Sequence, residues 1–463
     1  MSESLYKKMI VTVYVMSMFM VAMDATIVNV ALSTIGAEFG VPASATSAVN
    51  IGYVVSLAMM LPIAGWMGDR FGSKRVLMSA LSTFIMASVL CGFAENQWML
   101  NVFRILQGAG AGFFAPVGMS ILFRTFSPEE RPKLSRVIIV PIALAPALGP
   151  IVGGYLVDAL SWRWIFYINV PIGLVALVLM SIYIKERKEA SVGRFDLKGF
   201  ALSLPGLGTL IYALIQAPVK GWSDPQVYLL ALVGVVLLIV LVKVELQDQA
   251  PMLNLRLFED QSFRVMSLIG MFSAAGLFGM LYVFPLMYQN ALGVSAFQTG
   301  LTMFPEALGL MVASQLMPWS LKKLGIRRLM LLSLFGSIVI FTLLALFVEA
   351  NPWVIRGLMI GVGIFLGHAV TASQITAFQT ISKPQMSQAT TLHNVQKRFG
   401  GVIGVAILAS VIGSDSSEAS SLVAYQWALG GSAMFIGLCF ITMLTFKERK
   451  DTTEQNEVKA ASG

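Results

Sequence analysis

Three ionisable residues, Asp24, Arg104 and Glu306, stand inside long apolar stretches of the chain. A charge at the centre of a membrane costs about 2.5–3.5 kcal/mol on insertion scales, so such residues are usually functional. If each apolar stretch is a membrane helix, Asp24 lies roughly 12 Å below the outer end of its helix, and Arg104 lies roughly 9 Å below the outer end of its own helix. We therefore expect Asp24 and Arg104 to face a common cavity and to interact, directly or through water.

These three residues have the chemistry of proton coupling, with Asp24 as the best proton carrier because a carboxylate beside a movable cation can change its protonation. Glu306 lies at a similar level in the second half of the chain, where it could meet a cationic substrate or carry a second proton. A structural acid bonded to a neighbouring hydroxyl is the other interpretation of Glu306. Polar and aromatic side chains at helix depth complete the expected substrate site with the two acids: Asn29, Gln107, Phe113, Phe114, Tyr282 and Gln289.

The sequence offers no comparable set of residues for catalysis or metal binding. The two cysteines, Cys91 and Cys439, lie in separate apolar runs, and the two histidines, His368 and His393, are isolated from one another. No G-x-x-x-x-G-K-[ST] sequence is present, so ATP is not expected to drive the protein. We expect neither an enzyme nor a metal or cofactor.

The elements that position these residues are membrane helices. The chain is 57% hydrophobic and 12% charged, with a mean hydropathy of +0.78, and apolar segments of about twenty residues recur along it. Fourteen such segments predict an all-α membrane protein with 14 transmembrane helices. The first segment, which follows Lys7 and Lys8, exceeds the length of roughly 7–15 residues that a signal peptide would have, so we expect it to be retained.

The basic residues predict the orientation of these helices. With both termini in the cytoplasm, nearly all of the 32 Lys and Arg residues fall in cytoplasmic loops or at the adjoining helix ends. This distribution explains the net charge of +8 better than nucleic-acid binding does. We expect a multi-pass protein of the bacterial cell (inner) membrane, with lipid around it and no nucleic-acid partner.

An internal repeat divides the chain into two halves. One constant offset aligns Trp66 with Trp319 and Gly72 with Gly325, and it also brings basic residues of the two loops together. We predict two six-helix bundles, with the membrane site between them, and two inserted helices. The boundaries are 1–190 for the first bundle, 191–250 for the inserted pair, 251–450 for the second bundle and 451–463 for a disordered cytoplasmic tail.

Two motifs are expected to serve the conformational change. The first, between predicted helices 2 and 3, contains Gly65, Asp69, Arg70, Gly72, Lys74 and Arg75. Its glycine allows a tight turn, its carboxylate suits a helix N-terminus, and its basic residues suit the cytoplasmic edge. The second, in predicted helix 5, contains Pro146, Gly149, Pro150, Gly153 and Gly154. Its prolines bend the helix, and its small residues let a neighbouring helix approach closely.

The first motif resembles the signature loop of the major facilitator superfamily, and the second resembles the antiporter motif of its fourteen-helix drug:proton antiporters. The stretches 19–32, 104–110 and 162–171 are similar to that branch as well. The sequence departs from the family pattern at Ala145, where glycine is usual, and at Lys397, where arginine is usual, so we assign no role to Lys397.

The resemblance implies the major facilitator fold and proton-coupled secondary active efflux of amphipathic, cationic drugs or toxic compounds by a monomer. Protons and small amphipathic molecules would then be the only partners besides lipid. An exporter of one metabolite, siderophore or lipid-like molecule on the same fold is the alternative. A membrane sensor or scaffold would need a larger soluble part than the 17 or so residues after Phe446 provide.

Overall fold

The computed structural model describes residues 3–41, 43–186, 196–248, 251–294, 296–349, 351–413 and 422–446. The regular structure in these ranges is helical, as the long apolar runs predict. In chain order the main helices are α1 Glu3–Phe39, α2 Ala43–Phe71, α3 Ser73–Gly92, α4 Gln97–Ala111, α5 Phe114–Thr125, α6 Arg131–Ala159, α7 Trp164–Tyr167, α8 Asn169–Tyr183, α9 Leu197–Lys220, α10 Pro225–Gln247, α11 Gln261–Leu286, α12 Ala296–Leu346, α13 Pro352–Ala377, α14 Met386–Gly413 and α15 Leu422–Leu444. A 3-10 helix, Leu255–Glu259, precedes α11, and a π-helical turn, Met287–Ala291, follows it.

Twelve helices within the described ranges are long and apolar enough to cross a membrane. One of them, α12, is broken at Gly325, where φ is 69° and ψ is 165°, so its 51 residues comprise two predicted segments. The 29-residue α6, which is outside the twelve, covers another predicted segment. The structure is therefore compatible with fourteen crossings, and it shows a multi-pass helical membrane protein.

The helices pack mainly within two groups. In the first group α1 packs against α6 and α8, and α4 packs against α2 and α3; in the second, α12 packs against α13 and α15, and α11 against α14 and α15. Most members of one large apolar core come from α1–α8, and most members of another come from α11–α15. The pair α9 and α10 lies beside both groups, because α9 contacts α2 and α14.

The two copies of the loop motif have the same turn geometry. Gly72 ends α2 with a φ of 99°, and Gly325 breaks α12 with a φ of 69°. Residues with a side chain rarely adopt either value, so glycine is required at the same point of both copies. The shared turn supports the internal repeat.

One end of the bundle carries the loop between α2 and α3, and we call it the loop end. A series of hydrogen bonds joins the two groups of helices toward this end. The donors are Arg124, Arg131, Ser387 and Thr390, and the respective acceptors are the carbonyls of Lys383, Phe378, Gly65 and Pro116, at 2.9–3.1 Å. The loop end is therefore closed in this structure.

A second cluster of charges lies at the opposite end, within the first group. The indole of Trp162 donates to Glu38 at 2.6 Å, and the guanidinium of Arg163 pairs with the same carboxylate at 2.8 Å. Phe39 packs edge-on against Trp162 with ring centroids 5.6 Å apart. These contacts tie the end of α1 to the start of α7.

Candidate functional site

An ion pair between Asp24 and Arg104 lies at the centre of the first helix group. The two side chains, from α1 and α4, are completely buried, and their closest N–O distance is 2.5 Å. An arginine without solvent needs acceptors for each N–H, and a carboxylate needs donors for each oxygen. The neighbouring residues supply both.

Two amides hold the second oxygen of Asp24. Gln107 and Asn169 each donate to Oδ1 at 3.0 Å. Gln107 also accepts from Arg104 at 2.7 Å and donates to the hydroxyl of Ser88 at 2.8 Å. The carboxylate is thus held by residues of α4 and α8, and it keeps two donors even if the arginine withdraws.

Helix α2 supplies the remaining partners of Arg104. Nε donates to the carbonyl of Val49 at 3.2 Å, and a terminal nitrogen reaches Asn50 at 3.4 Å. The guanidinium carbon lies 4.2 Å from the centre of the Tyr53 ring, close enough for a cation–π interaction. A movement of α2 relative to α1 would therefore break contacts of Arg104 but not those that hold the carboxylate of Asp24.

The glycines of α6 set the position of α1 beside this network. A Cβ at Gly149 would overlap the hydroxyl of Thr26, and a Cβ at Gly153 would lie 2.8 Å from Ile27 Cγ1. At Gly154 the nearest neighbour would be at 4.0 Å, so this glycine is not needed for the contact. Pro146 is exposed, and the side chain of Pro150 lies outside the described residues.

The loop motif connects the two helix groups at the loop end. Asp69 pairs with Arg124 at 3.0 Å, and Arg124 reaches across to the Lys383 carbonyl. A Cβ at Gly65 would lie 2.6 Å from the Thr391 hydroxyl, so glycine permits the close contact of α2 with α14.

The rest of the motif is held within the first group. The carboxylate of Glu186 accepts from the backbone N–H groups of Lys74 and Arg75, both at 3.2 Å. It also lies against the Cα of Gly72, where a side chain would collide with it. Arg70 is exposed at the surface.

The structure does not bring every expected substrate contact to one cavity. Glu306 is buried in α12 of the second helix group, and among the described residues it forms no hydrogen bond or ion pair with the Asp24 network or with any other side chain. Phe114 is buried in the core of the first group with its ring 5.7 Å from that of Phe84, so it offers no face for stacking on a ligand.

The remaining expected contacts differ in accessibility. Gln107 is completely buried and belongs to the Asp24 network. Phe113 is half-buried, and Tyr282 is 40% exposed. The side chains of Asn29 and Gln289 lie outside the described residues.

Sequence reasoning missed Asn169, Ser88 and Tyr53 as members of the network. Asn169 lies within the stretch 162–171 that resembles the antiporter branch, so the resemblance contained a signal for it. Ser88 and Tyr53 are ordinary residues of apolar helices, and no sequence pattern distinguishes them.

The structure is thus a bundle of helices suited to cross a membrane, with a buried ion pair inside it. The family model described as Major Facilitator Superfamily matches residues 14–405, and it matches again over residues 266–462. The chain belongs to this family, whose members are transporters.

Curated relatives and solved structures agree with that membership. The chain is 32% identical over 409 residues to the multidrug resistance protein B homolog of Mycobacterium tuberculosis, covering 86% of this chain and 75% of the relative. It is also 32% identical over 409 residues to the methylenomycin A resistance protein of Bacillus subtilis, covering 87% of each. The proton:xylose symporter XylE shares the fold, with a TM-score of 0.68 at 14% identity and coverage of 96% of each chain.

Proposed function

We propose that the protein exports amphipathic drugs across the bacterial cell membrane in exchange for protons, with Asp24 as the proton carrier. The names of the two relatives refer to multidrug resistance and to resistance against one antibiotic, which supports drug export. The observation that carries the proton coupling is the completely buried Asp24–Arg104 pair and its amide partners.

The pair can exist in two states. In the first, the carboxylate is ionised and its charge is offset by the guanidinium at 2.5 Å. In the second state, a proton neutralises the carboxylate of Asp24. The carboxyl group then no longer attracts the guanidinium of Arg104, so separation of the two groups is favoured. Gln107 and Asn169 donate to the carboxylate in the first state, and both would be able to donate to its unprotonated oxygen in the second.

The proton would enter from the outside and leave to the cytoplasm, while the substrate moves in the opposite direction. Rocking of the two six-helix bundles would expose the site to each side in turn. With the termini in the cytoplasm, as the basic loops predict, the closed loop end is the cytoplasmic end. Contacts such as Ser387 to the Gly65 carbonyl would break when the substrate enters.

The variant Asp24→Asn tests the proton carrier, because it removes titration but preserves the size of the side chain. In proteoliposomes it should lose the accumulation of a fluorescent drug driven by a pH gradient, while drug binding persists. Glu38→Gln is the matched control, since Glu38 lies on the same helix but at the protein surface near its end. Undiminished pH-driven accumulation in Asp24→Asn would disprove the proposal.

The charge of the substrate is a separate question. Of the two acids expected to contact the substrate, Asp24 is already paired with Arg104. Glu306 is therefore the acid that would have to support the preference for cations that the resemblance implies.

A narrower exporter is the second candidate, favoured by the relative whose name specifies one antibiotic. Transport of a drug panel by the same proteoliposomes separates the two: a broad exporter should transport several unrelated compounds, and a narrow one only a single chemical type.

A further inference from the structure

Lys397 and Arg398 are two adjacent basic residues in the middle of α14. Lys397 lies more than about 15 Å along the helix axis from either helix end, at 1.5 Å per residue. Both side chains are half-buried, and within the described ranges neither forms a hydrogen bond or an ion pair. This differs from Arg104 and Arg131, whose guanidinium groups bond to protein acceptors. Two membrane cations without counter-ions are unfavourable unless something else supplies negative charge.

The neighbours of α14 show where these two side chains lie. Gly400 and Gly404 contact the backbone of α11, whereas Ser387 and Thr391 face Gly65 of α2. Successive helical residues are turned by about 100°, so Lys397 and Arg398 lie on the sector between these two faces. That sector faces the boundary between the two helix groups, because α2 belongs to the first group and α11 to the second. Lys397 is nearer to α11, and Arg398 is nearer to α2.

A second, independent feature lies on the α2 side of the same boundary. The Tyr53 side chain is 1% exposed, and its hydroxyl has no hydrogen-bond partner among the described residues. Tyr53 belongs to α2, the helix toward which Arg398 is turned, and the ring of the same tyrosine packs on Arg104. A buried phenol without an acceptor is as unusual as a membrane cation without an anion, and both occur where α2 and α14 pack together.

The three groups share one requirement. An ammonium, a guanidinium and a phenolic O–H can all donate hydrogen bonds, so the ligand that satisfies them is a negatively charged oxygen group. Asp24 cannot fill this role because its oxygens are occupied by Arg104, Gln107 and Asn169. A lipid phosphate cannot fill it either, since Lys397 lies far from the level of the lipid headgroups.

We propose that Lys397, Arg398 and Tyr53 bind the acidic group of the transported compound, so that amphipathic organic anions are substrates. This inference rests on the proposed export function and names its substrate class. Glu306, on α12, has the same charge as such a ligand and would not stabilise it.

Dansylglycine and dansylglycinamide test the inference, because they share one fluorescent ring and differ by a carboxylate. The full chain is placed in phosphatidylcholine nanodiscs, and the binding of each compound is followed by fluorescence at pH 7. The native protein should bind the acid about tenfold or more tightly than the amide, as a charge-assisted hydrogen bond implies.

The variants Lys397→Gln and Arg398→Gln should each lose most of that preference while they bind the amide as before, which also shows that they are folded. Lys397→Arg and Arg398→Lys should keep the preference, because they keep the charge. Lys243→Gln, at an exposed lysine of α10, is the matched control and should bind both compounds like the native protein. Equal binding of acid and amide by the native protein, or an unchanged preference in both glutamine variants, overturns the inference.

The same nanodisc results and a pH-driven transport assay distinguish the two proposals. If the amide is transported in response to a pH gradient and the acid has no binding advantage, the anion site is wrong and proton-coupled export stands. If the acid binds through the basic pair but neither compound responds to the gradient, the anion site stands and proton coupling is wrong.

Discussion

The charged residues inside the two helix groups differ in their hydrogen-bond and ion-pair partners. In the first group, Asp24 and Arg104 satisfy one another, and Gln107, Asn169 and Ser88 complete the network. In the second group, the described contacts leave Glu306, Lys397 and Arg398 without a bonded partner. A proton can switch a satisfied pair without a ligand, whereas an unsatisfied charge can be stabilised by a ligand that brings the opposite charge. The first region therefore suits coupling, and the second suits substrate recognition.

Arg104→Ala should have the largest effect, because it leaves the carboxylate of Asp24 buried without its counter-charge. Breaking one side of a buried pair costs about 3–5 kcal/mol, so both transport and thermal stability should fall. Arg398→Gln should leave stability unchanged or increase it, since no ion pair is lost. Thermal unfolding of the two purified variants measures the contrast, and an equal loss in both would remove the distinction between the regions.

The double variant Asp24→Asn with Arg104→Gln sharpens this test. It removes both charges, so no unpaired charge remains, and much of the stability lost in Arg104→Ala should return. Proton-driven transport should stay absent, because no group is left to titrate. A double variant as unstable as Arg104→Ala would show that the size of the arginine, and not its charge, matters.

Gly149→Ala is expected to have the next largest effect, by moving α1 away from its partners in the first region. The added methyl group would overlap the Thr26 hydroxyl, two residues from Asp24. Overpacking of this kind costs about 1–3 kcal/mol. Gly154→Ala, with its nearest neighbour at 4.0 Å, is the matched control and should behave like the native protein. Transport assays of both variants check this, and equal activity would mean that the close contact of α6 is not required.

Glu306→Gln tests the acid of the second region. A dication needs more negative charge than a monocation in a cavity of low dielectric constant, so export of a dicationic dye should fall about tenfold and that of a monocationic dye less. The same variant should bind dansylglycine at least as tightly as the native protein does, because a like charge has been removed. Equal losses for the two cationic dyes, measured in one vesicle preparation, would exclude charge matching by Glu306.

The sequence predicted the parts of this arrangement that depend on local pattern. Apolar runs predicted the helices, the repeated loop predicted a glycine turn that both Gly72 and Gly325 adopt, and the family resemblance is confirmed. Depth along two helices placed Asp24 and Arg104 at one level. The partners from other helices, such as Tyr53, could not be predicted, because helix rotation and the order of packing are not encoded in any single segment.

The same limit explains the misplaced aromatic and the unassigned cation. Phe114 was expected to line a cavity, but its face of α5 packs on Phe84 of α3 in the core of the first group. The sequence assigns no role to Lys397 because it departs from the arginine that is usual in the family, and its relation to α2 and α11 follows only from the packing of α14. In both cases the position of the residue depends on which way one side chain points from its helix. A sequence of uniformly apolar helices does not reveal that direction.

The smallest effect is expected at the end opposite the loop motif, where an exposed ion pair contrasts with the buried one. Glu38 and Arg163 are partly exposed, and the Arg163 hydrogen bond holds the pKa of Glu38 below its ordinary value of 4.5, with a smaller contribution from Trp162. Because the folded-state pKa is lowered, the stabilisation is complete above pH 4.5 and is lost as the pH falls through the lower folded value. Arg163→Gln should therefore cost at most about 1 kcal/mol at pH 7 and less at high salt, and the part of the loss due to Glu38 should disappear once Glu38 is protonated. Arg163→Lys should recover part of the loss. Thermal unfolding at pH 7 and at pH 3 measures these differences, and a large, salt-independent loss at both pH values would show that Arg163 acts through packing on Trp162 and not through its charge.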